Sequence, residues 1–347
     1  MNAHSTLVGI LYNAFVPGWG RPKEALSERA IENAARQAGA ALLSVGYRLQ
    51  WIPVRGRIEE LVAPIRRRRP AVIVNLCEGF RGHSAYEAQV AGLLELLDIP
   101  FTGNSSNALF QCHDKFRTKI ILQACGLPTP RSWLVEDERQ LPAAARFPLI
   151  VKPNCEDASI GIYPQSVVRT RMALRKQVAR VLAAYNQSAL VESFVDGREI
   201  NAAIVEESAP CVLPLSEILF QHYPAGLPRI VGYDAKWQAA HPTYRGTVPV
   251  CPAPVSPALA QRLTRAALQA YRVLKLRGYA RVDFRLDARS RPYILDVNPN
   301  PDTSREAGLA RSLAAKGITY EDFWRSQVRL ALKKIKANHE NPTDSCK

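Results

Sequence analysis

The feature that most limits the fold is a strict alternation in the first hundred residues. Apolar runs that read as buried strands, "TLVGILYN", "RLQWIPV", "AVIVNLCEG" and the short "IPFTG", are separated by segments with helical spacing. Those segments are "SERAIENAARQAGAALLSVGY" (27–47), with Ser27 as the expected N-cap, "RIEELVAPIRRR" and "AYEAQVAGLLELLD". Parallel strands need a long crossover, which a helix supplies, so this order predicts a doubly wound parallel sheet. Ligands of such sheets sit at the carboxyl ends of the strands, which here carry Asn13, Asn75 and Glu78.

The remainder has a different rhythm. From about residue 109 a helix through "KFRTKIILQACG" precedes "FPLIVKPN" and "SIGIYPQSV", which read as a strand pair. The helix "TRMALRKQVARVLAAYNQ" and the strand "SALVESFV" follow. From about 196 strands dominate: "REINAAIVEE", "PCVLPLSEIL", "YARVDFRLD" and "PYILDVNPN", interrupted by the helix "SPALAQRLTRAALQAYRVLKL". A closing helix, "TYEDFWRSQVRLALKKIKA", ends in a polar tail. The expected fold class is α/β followed by α+β, divided at 1–108, 109–190 and 191–335, with a tail at 336–347.

Composition narrows the function. Of 347 residues 47% are apolar, enough for a sizeable core, yet no apolar run is long enough to cross a bilayer. The N-terminal stretch lacks the basic region of a secretory signal, and the seven cysteines include no CxxC pair. Reduced thiols and a cytoplasmic protein are expected. The net charge of +15 admits nucleic acid as a partner, but the arginines are dispersed. The one dense run, "IRRRRP", falls where a helix would end, and cations there complement the helix dipole. A preference for anionic small molecules is the simpler reading, with no nucleic-acid or membrane partner.

Four segments bear chemistry. "YARVDFRLD" sets Arg281 and Asp283 on one strand face, and "YILDVNPN" does the same with Asp296 and Asn298. The connection "ARSRP" is short enough for a hairpin, which would gather three oxygen ligands suited to Mg²⁺ beside Arg281. Solvated turn residues are the plainer alternative. Lys152 lies in the apolar strand "FPLIVKPN", where an ammonium needs an anionic partner such as phosphate unless it reaches water at a sheet edge. Ser159 and Gly161 follow in a small-residue turn that can lay N–H groups over phosphates. In "LVESFVDGREI" a strand delivers Glu192, Phe194 and Val195 into a turn before Glu199, where a carboxylate can accept from ribose hydroxyls. Surface acids on a hairpin would look the same.

Seven phrases in order, "GLLELLDIPFTGNSS", "HDKFRTKIILQACGLPTP", "FPLIVKPN", "VESFVDGREI", "YDAKW", "YARVDFRLD" and "YILDVNPNP", resemble the ATP-grasp superfamily, most closely its D-alanine–D-alanine ligase branch. The resemblance spans about residues 70 to 330. It implies a pre-ATP-grasp domain followed by two subdomains that clamp ATP between antiparallel sheets. By that likeness Lys115 and Lys152 hold ATP phosphates, and Ser159 and Gly161 belong to a loop closing over them. Glu192, Phe194 and Val195 surround adenine, Glu199 meets the ribose, and Lys236 approaches the γ-phosphate. Asp283, Asp296 and Asn298 bind two Mg²⁺ ions, for which Mn²⁺ can substitute. Arg281 contacts the acyl substrate and oxyanion, and Glu28 anchors the first substrate's amino group. The implied reaction joins two amino acids or small acids through an acyl phosphate, releasing ADP and phosphate. A homodimer through the N-terminal domain is also implied.

The departures are equally informative. Asp296 stands where the family has glutamate, Trp237 where it has tyrosine, and Asp157-Ala158-Ser159 where it has Gly-Ser-Ser. The family's "PGMTSHS" becomes Pro301-Asp302-Thr303-Ser304-Arg305, and its His-Gly gives way to "NLCEG", with Glu78 in about that place. Most of these fall where the amino acids bind. A different amino acid or small acid is therefore expected in place of at least one D-alanine. Glu78 beside Glu28 would favour a cationic group, and Arg305 a carboxylate. Two alternatives stand: a true D-alanine–D-alanine ligase, or an inactive nucleotide-binding homologue, because Asp302 in an oxyanion pocket would repel negative charge.

Overall fold

The computed structural model describes residues 6–19 and 25–340, without the side chains of Ala25, Glu28 and 334–340. β1 (Leu7–Asn13) is crossed by α1 (Ala25–Ser44) to β2 (Arg48–Val54), and by α2 (Ile58–Arg68) to β3 (Val72–Leu76). All three strands are parallel in the order β2-β1-β3. Val8 and Ile10 bury one sheet face against Ala35, Ala38 and Leu42 of α1. Leu11, Ile52 and Ile73 bury the other against Leu61 and Ile65 of α2 and Ala91 and Leu94 of α3 (Glu87–Leu96). The doubly wound expectation therefore holds. Two local expectations do not. Ser27 lies two residues inside α1 rather than capping it. "IPFTG" contributes a single bridge, Ile73 to Phe101, instead of a strand.

α4 (Ser106–His113) and α5 (Lys115–Ala124) lead into an antiparallel sheet of β4 (Ser132–Val135), β5 (Leu149–Pro153), β6 (Val167–Val168) and β7 (Ala189–Ser193). Its order is β4-β7-β5-β6. α6 (Arg171–Tyr185) covers one face with Leu174, Val178 and Val181. The expected strand "SIGIYPQSV" shrinks to Val167–Val168. Ala158, Ser159 and Gly161 all adopt positive φ, which turns the chain back before it can pair.

The third sheet is built from β8 (Arg198–Glu206), β9 (Pro210–Val212) and β10 (Ser216–Phe220). α7 (Tyr233–Trp237), α8 (Pro242–Arg245), β11 (Thr247–Val250), α9 (Pro257–Val273), β12 (Tyr279–Leu286) and β13 (Pro292–Asn298) follow. Its order is β11-β10-β8-β12-β13, with β9 on β8. "PCVLPLSEIL" is thus two strands, consistent with Pro214 lacking the N–H that a continuous ladder requires. The amphipathic α9 buries Leu259, Leu263, Ala267 and Ala270 over Ile200, Val282 and Phe284.

The cores cross the chain divisions. Leu122 of α5 packs with Ile200 and Phe284 of the third sheet. After α10 (Gly308–Lys316), α11 (Tyr320–Glu340) returns to the first sheet, where Phe323, Trp324 and Val328 share a core with Val8, Val72 and Tyr279. Among the described residues no helix is long and apolar enough to cross a membrane.

Candidate active site

The hairpin expected from "YARVDFRLD" and "YILDVNPN" forms. β12 and β13 pair antiparallel with Arg281 opposite Asn298 and Asp283 opposite Asp296, and a bulge follows Asp283. With a side-chain period of two, this register gathers all four on one face. Arg281 clamps Asp283 in a fork, Nε to Oδ1 at 2.7 Å and Nη2 to Oδ2 at 2.8 Å, and Asn201 Nδ2 donates to Asp283 Oδ1 at 2.8 Å. Burial would raise the Asp283 pKa, but Arg281 holds it below the usual carboxylate range. The Asn298 side-chain oxygen accepts from Asn300 N at 2.8 Å.

Lys115 opens α5, whose N-cap Asp114 accepts from Arg117 N at 2.9 Å. Asn154, just past β5, binds both sides of this turn, its carbonyl to Lys115 N and its amide oxygen to Phe116 N. The buried Lys115 ammonium meets Asp157 at 2.8 Å and Asp296 at 3.3 Å. Burial opposes its charge, but the two carboxylates more than offset this and keep it protonated. Asp114→Ala is expected to lower stability by about 1 kcal/mol, the usual worth of an N-cap. A urea titration measures this, and an unchanged midpoint would remove the capping role.

Lys152 is buried on β5, where its ammonium pairs with Glu192 at 2.8 Å. Glu192 also binds Lys119 at 2.7 Å, and Lys119 donates to the Leu295 carbonyl at 2.8 Å, one residue before Asp296. The Glu192 side chain therefore faces two lysines. Burial works against its charge, yet Lys119 and Lys152 hold its pKa below the ordinary value. Lys119 escaped the sequence reading, although its spacing of four from Lys115 puts both on one helix face.

Further along, Phe194 N donates to the Pro148 carbonyl at 3.0 Å, which joins the turn containing Val195 to the start of β5. Glu199 is paired with the buried Arg285 at 2.8 Å, another partner the sequence did not reveal. Burial still raises the Glu199 pKa.

Two loops meet over these groups. The Ser159 hydroxyl donates to the Val231 carbonyl at 2.9 Å, and Trp237 Nε1 donates to the Ala158 carbonyl at 2.9 Å. Gly161 has φ +77, and a Cβ there would meet Pro153 Cγ at 2.5 Å, so only glycine fits. Lys236 projects from α7 with its ammonium 5.0 Å from the Trp237 ring centre. Burial and the nearby Arg281 lower its pKa, while Asp302 and Glu78 oppose that shift.

Beneath the loops lies a cavity of about 550 Å³ bordered by Lys236, Asn298, Asp157, Glu78 and Asp302. Glu28 lies on α1, but its side chain falls outside the described residues. Arg305, expected to bind a carboxylate, does not border the cavity. It binds Glu321 and stacks on Tyr320 at 4.3 Å.

Three sheets, buried lysines beside a carboxylate-bearing hairpin, and two joined loops define an ATP-grasp protein. The solved structure of D-alanine–D-alanine ligase from Bacillus anthracis complexed with ATP shares this fold, with a TM-score of 0.75 at 21% identity over 96% of this chain and 100% of that one. The family described as D-ala D-ala ligase C-terminus matches residues 126–328. The D-alanine–D-alanine ligase of Gluconobacter oxydans is 31% identical over 88% of this chain and 96% of its own length. That of Carboxydothermus hydrogenoformans is 32% identical over 72% and 79%. The chain belongs to the D-alanine–D-alanine ligase family and is an ATP-dependent ligase of that type.

Proposed function

We propose that this ligase activates the carboxylate of one amino acid or small acid as an acyl phosphate and joins it to the amine of a second, at least one of the two not being D-alanine. The observation supporting this is the contrast between the two ends of the site. The Lys115 ammonium and the hairpin carboxylate Asp296 expected around a triphosphate lie together, whereas Glu78 and Asp302, departures from the family pattern, border the same cavity.

The chemistry follows from the residues. A carboxylate is a poor electrophile, so its oxygen first takes the γ-phosphoryl group, breaking the bond to ADP. The amine nitrogen then attacks the acyl carbon, phosphate departs and the nitrogen loses a proton. In this reading Lys115 and Lys152 neutralise the triphosphate, with Lys119 and Glu192 keeping Lys152 in place. Phe194 and Val195 border adenine, Glu199 binds ribose, and Lys236 approaches the γ-phosphate. The Arg281 guanidinium steadies the tetrahedral oxyanion. Ser159 and Gly161 close a loop that excludes water from the acyl phosphate. Glu28 anchors an amino group.

Among the described residues no group of three His, Cys, Asp or Glu is placed to hold a metal. Two carboxylates and an amide oxygen on one face nevertheless match the hard, oxygen-only preference of Mg²⁺, and Asp283, Asp296 and Asn298 would hold it. Bound there, Mg²⁺ or Mn²⁺ would supply Lewis-acid neutralisation of phosphate charge.

The test is a screen of amino acids, singly and in pairs, for ATP-dependent phosphate release. At least one pair is expected to release ADP and phosphate in equal amounts with a dipeptide-like product. A chelator should abolish this, and Mg²⁺ or Mn²⁺ should restore it. Silence with every pair would overturn the ligation chemistry in favour of an inactive nucleotide binder. Turnover with D-alanine alone would return the protein to the ordinary family reaction.

A further inference from the structure

We propose that a second cavity, between the turn after α3, the start of β12 and α11, binds a small zwitterionic amino acid, its carboxylate on Arg277 and its ammonium toward Gln327. This cavity shares no bordering residue with the catalytic one.

Two polar atoms of opposite kind point to a ligand. Arg277 Nη2 is buried and has no hydrogen-bond partner among the described residues, and neither has Gln327 Oε1. Both side chains border this cavity. Buried polar atoms are normally paired, and here one needs an acceptor and the other a donor. Each is held in place by its remaining contacts. Arg277 Nε donates to the Gly103 carbonyl at 2.9 Å, and its guanidinium lies 4.5 Å from the Phe101 ring centre. Gln327 is 1% exposed, and its Nε2 donates to the Glu206 carbonyl at 3.1 Å, which fixes the other end of the amide as the oxygen. Gly278 keeps the approach to that oxygen clear. Its φ is +72, and a Cβ there would lie 3.2 Å from Gln327 Oε1.

The charges around the cavity select the class of ligand. Among the described residues Arg277 is its only cationic border, and Glu95 and Asp98 stand at the exposed rim. Burial lowers the Arg277 pKa, and the charge of Glu95 opposes that shift. A simple anion would meet Arg277 but be repelled by both carboxylates, and a simple cation would meet the reverse. A zwitterion presents an acceptor to Arg277 and a donor to Gln327 while carrying no net charge. The volume is about 190 Å³, several times what one water occupies and below the roughly 300 Å³ at which pockets for drug-sized ligands begin. Ile99, Leu330 and Ala331 add an apolar wall, which offers water no hydrogen bond and suits a short aliphatic side chain.

The experiment is calorimetric titration of the full chain, without nucleotide, with D-alanine and L-alanine in turn. Propionate and ethylamine, the same skeleton lacking the ammonium or the carboxylate, are the controls. One hand of alanine or both should show a binding event at least about tenfold tighter than either control. Arg277→Met should weaken that event about tenfold or more, as expected for the loss of a charge-assisted contact. Leu330→Trp, which fills the rim without touching either hydrogen-bonding group, should remove it. Thermal melting establishes that each variant folds, and Leu330→Trp decides alone if Arg277→Met does not. No binding of alanine, either control binding as tightly as alanine, or alanine heats unmoved by a folded variant would overturn the inference. The last of these would assign the heat to the catalytic cavity alone. The measurement needs no ATP, so its failure leaves the ligase reading standing, and a silent phosphate-release screen leaves this site standing.

Discussion

Glu192→Ala is expected to destabilise the protein by about 3–5 kcal/mol, the cost typical of removing one partner from a buried ion pair. Glu192 is 1% exposed and is the shared anion of Lys119 and Lys152, which are themselves buried. Without it two ammonium groups face each other in an apolar interior, and each must be neutralised or pull the structure open to water. Urea unfolding measures the loss directly. A companion variant separates stability from function. Replacing all three together, Lys119→Met, Glu192→Leu and Lys152→Met, should recover most of the stability, since apolar residues of similar volume often replace buried ion pairs at little cost. The triple variant should nonetheless bind ATP poorly, because Lys152 is gone. A loss below about 1 kcal/mol for Glu192→Ala, the range of exposed pairs, would show that the triad is solvated and that its burial has no energetic consequence.

Arg281→Met is expected to lower kcat by about 10²–10³-fold with little change in the KM for ATP, the signature of a donor that acts on transition-state charge. The fork between Arg281 and Asp283 holds the guanidinium rigidly on the sheet face beside Asp296 and Asn298, so little reorganisation is needed when negative charge develops. Arg281→Lys should restore only a small part, because an ammonium cannot reproduce the planar two-point contact with Asp283. Phosphate-release kinetics at saturating ATP decide the matter. A variant whose KM for ATP rises while kcat holds would make Arg281 a nucleotide-binding group instead.

How much of this could be read before the fold was known depends on how far apart the interacting residues lie. The shared face of the hairpin's Asp and Asn residues was legible because strand period and a short connection act over fewer than twenty residues. Asp283 and Asp296 could hardly avoid the same face once the two strands paired. The N-terminal sheet was legible for the same reason, since each strand and its crossover helix follow one another directly. The turn carrying Ser159 and Gly161 was legible, but the strand expected from "SIGIYPQSV" was read too long, because the positive φ values at Ala158, Ser159 and Gly161 leave only a faint trace in residue type.

Charge partners were the least legible. Lys152 in an apolar strand announced that it needed an anion, and that demand was correct. Its answer, Glu192, comes from a neighbouring strand and is shared with a helix lysine far back in the chain. Glu199 likewise finds Arg285 across 86 residues, and Arg305 turns to Glu321 and Tyr320 instead of the cavity. Periodicity and turn chemistry act between covalent neighbours, so the order of residues alone determined the strands, the helices and the faces their side chains occupy. A Coulomb partner is chosen by distance in space, and that distance exists only after α5, β7 and the β12–β13 hairpin have packed together.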